Sequence, residues 1–573
     1  ALRRLNVSEN RMGHIRYTEF QTLPNTIAGI LERKSWGDAI TYAFPRAFGV
    51  YGFYPQAEGL PSEGNGFARL SESARRGALT ILEDKGVAGG FSIEGLTQAQ
   101  IRPGPADNAT IRLAYTGMKT DDLLYYGYSW APHNDNDYDG WLGLYAQRSG
   151  DVWLNPRFNR DLEPGNRAWY VTMHEIGHAV GIKHPHEGDD QLPFRLQNMS
   201  NTVMSYSAYS GAGNSFSDNS IDYPQTYMRS DIKALQHIYG ADYSTNSGDT
   251  VYEWRPGNGD TLIDGEVAIS PGDNTIFLTI WDGGGRDTYD LSAYRTRLNV
   301  DLRAGRASDF GTDQDADLGN GRSADGMVYN AYLYRNDRRA LIEDAIGGAA
   351  ADRIIGNVAD NELHGRGGAD RLIGLKGDDS LRGGGGADTL IGGNGDDLLI
   401  GDRGGDLLRG GGGSDTVSYA ASGRQVTVNL FAGMGRGGDA RGDRYLSIEN
   451  IEGSRKHDVL IGSARDNDIS GLSGRDRIDG RGGDDVLTGG GGADVFVFGR
   501  GRTGEDHITD FGFRGQDDRI KLTGFGGYRD YDQLVENMQQ REFEVVITDS
   551  DGDLIIIWGA TLEDLGHDDF LFA

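Results

Sequence analysis

The chain of 573 residues contains no cysteine. That excludes a disulfide framework, Cys-ligated zinc and a thiol nucleophile together, and an extracellular life would need another source of stability. Long apolar runs are missing too. No stretch approaches the roughly 20 residues of a membrane span. The N-terminus carries no apolar signal-peptide core, so Ala1 reads as a trimmed or processed start and export is not signalled at this end. Basic residues are in the minority, 56 Lys and Arg against 86 Asp and Glu, giving a formal charge of −30. A surface this acidic repels nucleic acid and anionic membranes, so neither nucleic-acid binding nor membrane insertion is expected.

Glycine, by contrast, is abundant. The 89 glycines are about twice the usual share of about 7%, and most of the excess lies between Gly283 and Gly501. The length allows two or three domains with full-sized cores. Residues 1–40 are weakly patterned and read as an N-terminal arm or pro-segment. Strands are expected at 39–44, 109–115 and 150–154. Helices are expected over 71–85, over 166–180 ended by Gly181, and over 229–238 stopping at Tyr239-Gly240. This mixture predicts an α+β domain over 41–243 and an all-β domain over 244–573.

The second part repeats with a period of nine. Asp370, Asp379, Asp388, Asp397, Asp406 and Asp415 are nine apart, with Asp352 and Asn361 in phase; Asp458, Asn467, Asp476, Asp485 and Asp494 form a second array. The arrays cover about 345–417 and 453–498, and two residues after each acidic position comes an apolar one, from Leu363 to Phe496. A nonapeptide Gly-Gly-x-Gly-x-Asp-x-apolar-x has a direct physical reading. Six residues form a turn whose carbonyls and carboxylate suit Ca²⁺, and three form a short strand with one residue pointing inward. Two such units complete one coil of a parallel β-roll. A flexible linker does not explain an apolar phase kept through thirteen repeats. A longer duplication, 287–347 against 415–453, suggests two copies of one strand-plus-array unit. Without calcium the aspartates repel, and one apolar residue in nine cannot offset chain entropy, so ion binding should supply folding free energy.

The sharpest motif is His174-Glu175-Ile176-Gly177-His178-Ala179-Val180-Gly181-Ile182-Lys183-His184. On a helix, His174 and His178 share a face and can bind one ion. Gly181 can end the helix with φ > 0, turning the chain back so that His184 becomes the third ligand. Three neutral imidazoles leave a position open for water, as in a catalytic zinc site. Glu175 can take the proton of a zinc-bound water as it attacks an amide carbonyl.

With Val203-Met204-Ser205-Tyr206 downstream, this motif resembles the metzincin peptidases, whose second hallmark is a Met-turn, here Met204. The His184-Pro185 pair and the Met-Ser-Tyr turn resemble the serralysins, as do 231–241, 248–252 and 281–290. The resemblance runs from about residue 110 to the C-terminus. It implies a secreted zinc metalloendopeptidase of bacterial origin with a metzincin catalytic domain, a calcium-binding RTX β-roll and a β-sandwich-like C-terminal cap. Tyr206 would be a further zinc ligand that swings away to stabilise the oxyanion. Calcium ligands would include Asp249, Asp282, Gly284, Gly285, Asp287, Glu343, Gly348 and Asp352, besides the array aspartates. One catalytic zinc ion and several structural calcium ions are expected.

The implied partners are protein or peptide substrates, type I secretion machinery addressed by the end Asp568-Asp569-Phe570-Leu571-Phe572-Ala573, and a proteinaceous inhibitor. A monomer is expected. Two departures stand out. The loop from His184 to Met204 is shorter than is usual in serralysins, so cleavage preference does not carry over, and there are two arrays where one is common. His186 and Glu187 read as solvated loop residues. His14, His133, His237, His364, His457, His507 and His567 have no ligand-like spacing. The competing function is a calcium-dependent RTX adhesin with an inert peptidase-like head. An RTX lipase or pore-forming toxin lacks its Gly-x-Ser-x-Gly elbow or its long apolar helices here.

Overall fold

The computed structural model describes residues 15–17, 30–31, 34–37, 39–46, 67–86, 90–106, 109–115, 127–129, 150–156, 161–188, 190–212, 222–311, 313–499, 504–512, 516–549 and 552–573. Most of the arm 1–40, and with it His14, lies outside the described residues, as does His133. The chain divides into two compact units, Ala1–Ala293 with Asp301–Ile342, and Tyr294–Val300 with Glu343–Ala573.

In the first unit, β1 (Ala39–Ala43), β2 (Gln100–Pro103), β3 (Ile111–Tyr115), β4 (Gly127–Ser129) and β5 (Asp151–Leu154) form one sheet in the order β2-β1-β3-β5-β4. All pairings are parallel except that of β4, which runs antiparallel to β5 at the edge. The buried runs of β3 and β5 fit the continuous apolar character of strands covered on both faces.

Helix α1 (Glu72–Leu82) starts where the Ser71 hydroxyl accepts from the Ala74 N–H at 3.0 Å, and buries Ala74, Gly77, Ala78, Ile81 and Leu82, one stripe of a 3.6-residue period. Helix α2 (Arg167–Val180) is capped by Asn166, whose side chain accepts from Trp169 N–H at 2.8 Å. It is buried almost all round and belongs to the same core as Trp36, Ile40, Leu113, Val152 and Met204. Gly181 at φ +106° terminates it, in the left-handed region that glycine enters without penalty. Helix α3 (Arg229–Tyr239) opens with Asp231 accepting from the Met228 N–H and closes at Gly240.

In the second unit the array strands pair in parallel, and within an array the partner lies 18 residues later. Thus Leu363 stands beside Leu381, Leu399 and Val417, and Leu372 beside Leu390 and Leu408, all of them with no solvent exposure. An 18-residue step is two nonapeptides, one per sheet, so each coil adds one rung to both sheets. These large, mainly parallel sheets fit a β-roll. The two arrays are not separate bodies. Thr416–Ser418 pairs with Asn450–Glu452, which pairs with Asp468–Ser470, while Leu407–Gly412 pairs with Arg444–Leu446. The chain after 418 therefore returns to the same sheets and carries them into the second array. The last residues form strands, with a short helix at Tyr531–Val535.

Candidate metal centre

Helix α2 presents His174 and His178 on successive turns, with Glu175 beside His174, and the Gly181 turn brings His184 back toward them. The Nε2 atoms of His174 and His184 are 3.1 Å apart, and those of His178 and His184 3.0 Å. Each ring is held by its other nitrogen. His174 Nδ1 donates to the Val203 carbonyl at 2.8 Å, His178 Nδ1 to the Ile182 carbonyl at 2.9 Å, and His184 Nδ1 to the Glu187 carboxylate at 2.5 Å. Carbonyl and carboxylate oxygens only accept, so the three Nδ1 atoms carry the hydrogens and the three Nε2 atoms keep bare lone pairs.

Burial, with the neighbouring imidazoles, holds His174 and His184 far below the usual histidine range. Burial takes His178 down to about 4. Three neutral nitrogens aimed at one another repel unless a cation lies among them. Zn–N bonds of about 2.0–2.1 Å at tetrahedral angles would place such nitrogens about 3.3 Å apart, close to the spacing found. The donor set therefore fits a zinc ion.

The Met-turn segment supports this cluster from behind. Asp231 accepts from Thr202 Oγ1 at 2.5 Å and from the Val203 N–H at 2.7 Å, fixing the residue whose carbonyl orients His174. Burial raises the Asp231 carboxyl to about 7 against the pull of its three donors. Met204 is buried against α2 so closely that a Cβ on Gly177 would lie 2.7 Å from its sulfur. The Tyr206 ring packs 4.4 Å from that of His184 and 5.5 Å from that of His174, centroid to centroid. Glu175 is 6% exposed, and burial pushes its carboxyl up to about 7 against an opposing hydrogen bond from Ser129. Two residues expected to be solvated loop are exposed, and they also contact the site. Glu187 is the hydrogen-bond partner of His184, and His186 stacks on that ring at 5.5 Å.

In the repeats, one carboxylate oxygen of each aspartate is used by the backbone. Asp370 N–H donates to Asp388 Oδ1 at 2.8 Å, Asp379 to Asp397 at 2.9 Å, and Asp476 to Asp494 at 2.8 Å. The other oxygen, Oδ2 of Asp370, Asp379, Asp388, Asp397, Asp406, Asp415, Asp476, Asp485 and Asp494, is buried with no donor. Burial raises Asp379 to about 8, and Asp397 and Asp476 to about 7. Glycines close the space, since a Cβ on Gly392 would lie 2.1 Å from Asp397 Oδ2. Rows of orphaned, buried carboxylate oxygens in a glycine-walled cradle fit Ca²⁺.

The first aspartate of each array differs. Both oxygens of Asp352 accept main-chain hydrogens, from Leu298 and Gly348, and Asp458 is likewise filled by Val426 and Ser454. This matching pair reflects the internal duplication. The Glu343 carbonyl accepts from Asn361 Nδ2. In the first unit, Asp282 accepts from Tyr252 and Gly284, Asp249 from Arg286, and Asp287 from Thr250. Gly285, at φ +142°, packs against Gly248.

Three further aspartates continue the ladder where the period fails. Asp443 takes the N–H of Asp406 at 2.9 Å, Asp506 that of Asp485 at 3.1 Å, and Asp518 that of Asp494 at 2.9 Å. Each keeps the Asp-x-apolar signature, with Tyr445, Ile508 and Ile520.

The sequence profile described as "Peptidase M10 serralysin C terminal" matches residues 241–570. The chain belongs to the serralysin family. Serralysin from Proteus mirabilis is 34% identical over 226 residues, 38% of this chain and 41% of that protein. Metalloprotease AprA from Pseudomonas entomophila is 34% identical over 231 residues, 38% of this chain and 43% of that one. Serralysin G from Dickeya chrysanthemi is 31% identical over 270 residues, 45% and 51% of the two chains. The chain thus spans about half or less of the length of these curated relatives. Among the described residues no helix is long and apolar enough to cross a membrane.

Proposed function

We propose that the protein is a secreted, zinc-dependent endopeptidase whose RTX domain folds on calcium. The observation that carries the reading is the convergence of three neutral, oriented imidazoles beside the buried carboxyl of Glu175. In this reading a metzincin domain occupies 41–243 and an RTX domain with its C-terminal cap occupies 244–573. His174, His178 and His184 hold one zinc ion, with Tyr206 as a further ligand, and the array aspartates hold several calcium ions.

When bound, zinc supplies the positive charge that polarises water and the scissile carbonyl. Glu175 removes a proton from the attacking water and later gives it to the leaving amine nitrogen, so no net charge is left on the enzyme. Tyr206 donates its hydroxyl hydrogen to the oxygen that becomes negative. Glu187, Val203 and Ile182 keep the three imidazoles aimed. Protein or peptide substrates, export by a type I machinery and inhibition by a small protein follow from the same reading.

The test is casein hydrolysis by wild type and Glu175→Ala, with zinc present and calcium varied from chelated to millimolar. Activity that requires calcium, is lost to a zinc chelator and is absent from the variant is the expected result. A folded, zinc-loaded wild type without activity, or equal activity in the variant, would instead favour an RTX adhesin.

A further inference from the structure

Glu175 is placed by more than its helix. A glutamate has three rotatable side-chain bonds, and a carboxylate that must meet one proton on one water loses rate with each misplaced orientation. Among the described residues one side chain donates to it: the Ser129 hydroxyl, 2.8 Å from Oε2. The two residues are 46 apart in sequence and meet because β4 runs antiparallel to β5, with Ser129 opposite Val152, beside α2. With Oε2 held from the strand side, Oε1 is the oxygen left to accept a proton.

We propose that Ser129 is a positioning residue for Glu175, fixing the orientation of its carboxylate. This inference rests on the peptidase reading above. The chemistry of serine suits this role. Its hydroxyl reaches Oε2 with one short bond and brings no charge of its own into the site. Threonine can replace it without loss of the hydroxyl or of strand propensity.

The experiment uses the full-length, zinc- and calcium-loaded protein as wild type, Ser129→Ala, Ser129→Thr and Glu175→Gln. With a fluorogenic peptide, Ser129→Ala is expected to lower kcat about tenfold with KM within about twofold, at unchanged zinc content and melting temperature, and Ser129→Thr to recover most of the loss. Crystal structures of wild type and Ser129→Ala give the readout that needs no turnover: the Glu175 carboxylate in one orientation in the first and in several in the second. A Ser129→Ala enzyme with wild-type kcat, or one whose Glu175 keeps its single orientation, overturns the proposal while leaving the peptidase reading intact. A wild type that does not cleave, with Glu175→Gln indistinguishable from it, removes the peptidase reading. The two crystal structures then still decide whether Ser129 holds the carboxylate.

Discussion

Glu187 Oε1 lies 2.5 Å from His184 Nδ1, three residues upstream, on a side chain that is half exposed. A carboxylate there fixes the imidazole tautomer and strengthens Nε2 as a donor to metal, the role that outer partners play in zinc sites. His174 and His178 Nδ1 are held by main-chain carbonyls, so His184 is the imidazole of the three whose Nδ1 partner a substitution removes.

Glu187→Gln is therefore expected to weaken zinc binding about 10–100-fold, with the fold retained. Titration against a competing chelator measures it. Unchanged affinity would show that the carboxylate is a bystander.

Gly177→Ala tests how closely α2 rests on the Met-turn. The added Cβ would come 2.7 Å from Met204 Sδ and 3.0 Å from Ile182 Cδ1. Overpacking of this kind costs about 1–3 kcal/mol. A melting temperature lower by several degrees is expected, and an unchanged one would mean that Met204 moves aside freely.

Calcium removal should unfold the repeats. Order in 343–573, followed by circular dichroism, should appear with a midpoint of about 10⁻⁴–10⁻³ M calcium, the range of extracellular calcium modules. Gly392→Ala, which drives a methyl into Asp397 Oδ2, should raise that midpoint. Gly423→Ala, which meets nothing within 4 Å, should not. Equal shifts in both would disconnect the glycine cradle from the ion.

Asp231 makes the first unit sensitive to pH. Its folded-state carboxyl is raised to about 7, above the unfolded value of about 3.9. Its contribution is thus fully present below about pH 4 and is lost as the pH rises through 7, with a slope of up to about 1.4 kcal/mol per pH unit. Asp231→Asn keeps an acceptor for the Val203 and Met228 N–H groups and does not titrate. Between pH 4 and 7 wild type should lose stability relative to this variant, measured as the difference of their melting temperatures at each pH. A constant difference would show that Asp231 stays charged throughout.

How legible these features are from sequence depends on whether the backbone alone sets the geometry. A helix puts residues i and i+4 on one face, so His174 and His178 need no tertiary information, and Gly181 announces the turn that returns His184. The nine-residue period likewise dictates the leucine ladder from Leu363 to Leu408. Glu187 is hidden because a His-Pro-His-Glu loop has no obligatory shape. Ser129 is hidden because its meeting with Glu175 depends on the register of β4 against β5, 46 residues from the helix. Asp443, Asp506 and Asp518 escape a period of nine because the chain travels 37, 21 and 24 residues between stacked coils there. Their Asp-x-apolar signature, read without the period, would have found them.

The aspartate ladder also has a direction. Each rung's amide is satisfied by a carboxylate farther along the chain, Asp352 by Asp370, Asp370 by Asp388, Asp388 by Asp406 and Asp406 by Asp443. A second, exposed ladder runs the other way, with the Asp378 and Asp396 N–H groups donating back to Asp360 and Asp378, so each coil is bonded through side chains to both of its neighbours. Asp506 and Asp518 are the foundation on which Asp485 and Asp494 sit. A cut beyond residue 500, which removes both, should leave the Asp485 and Asp494 amides without their carboxylate partners and fray the roll from that end.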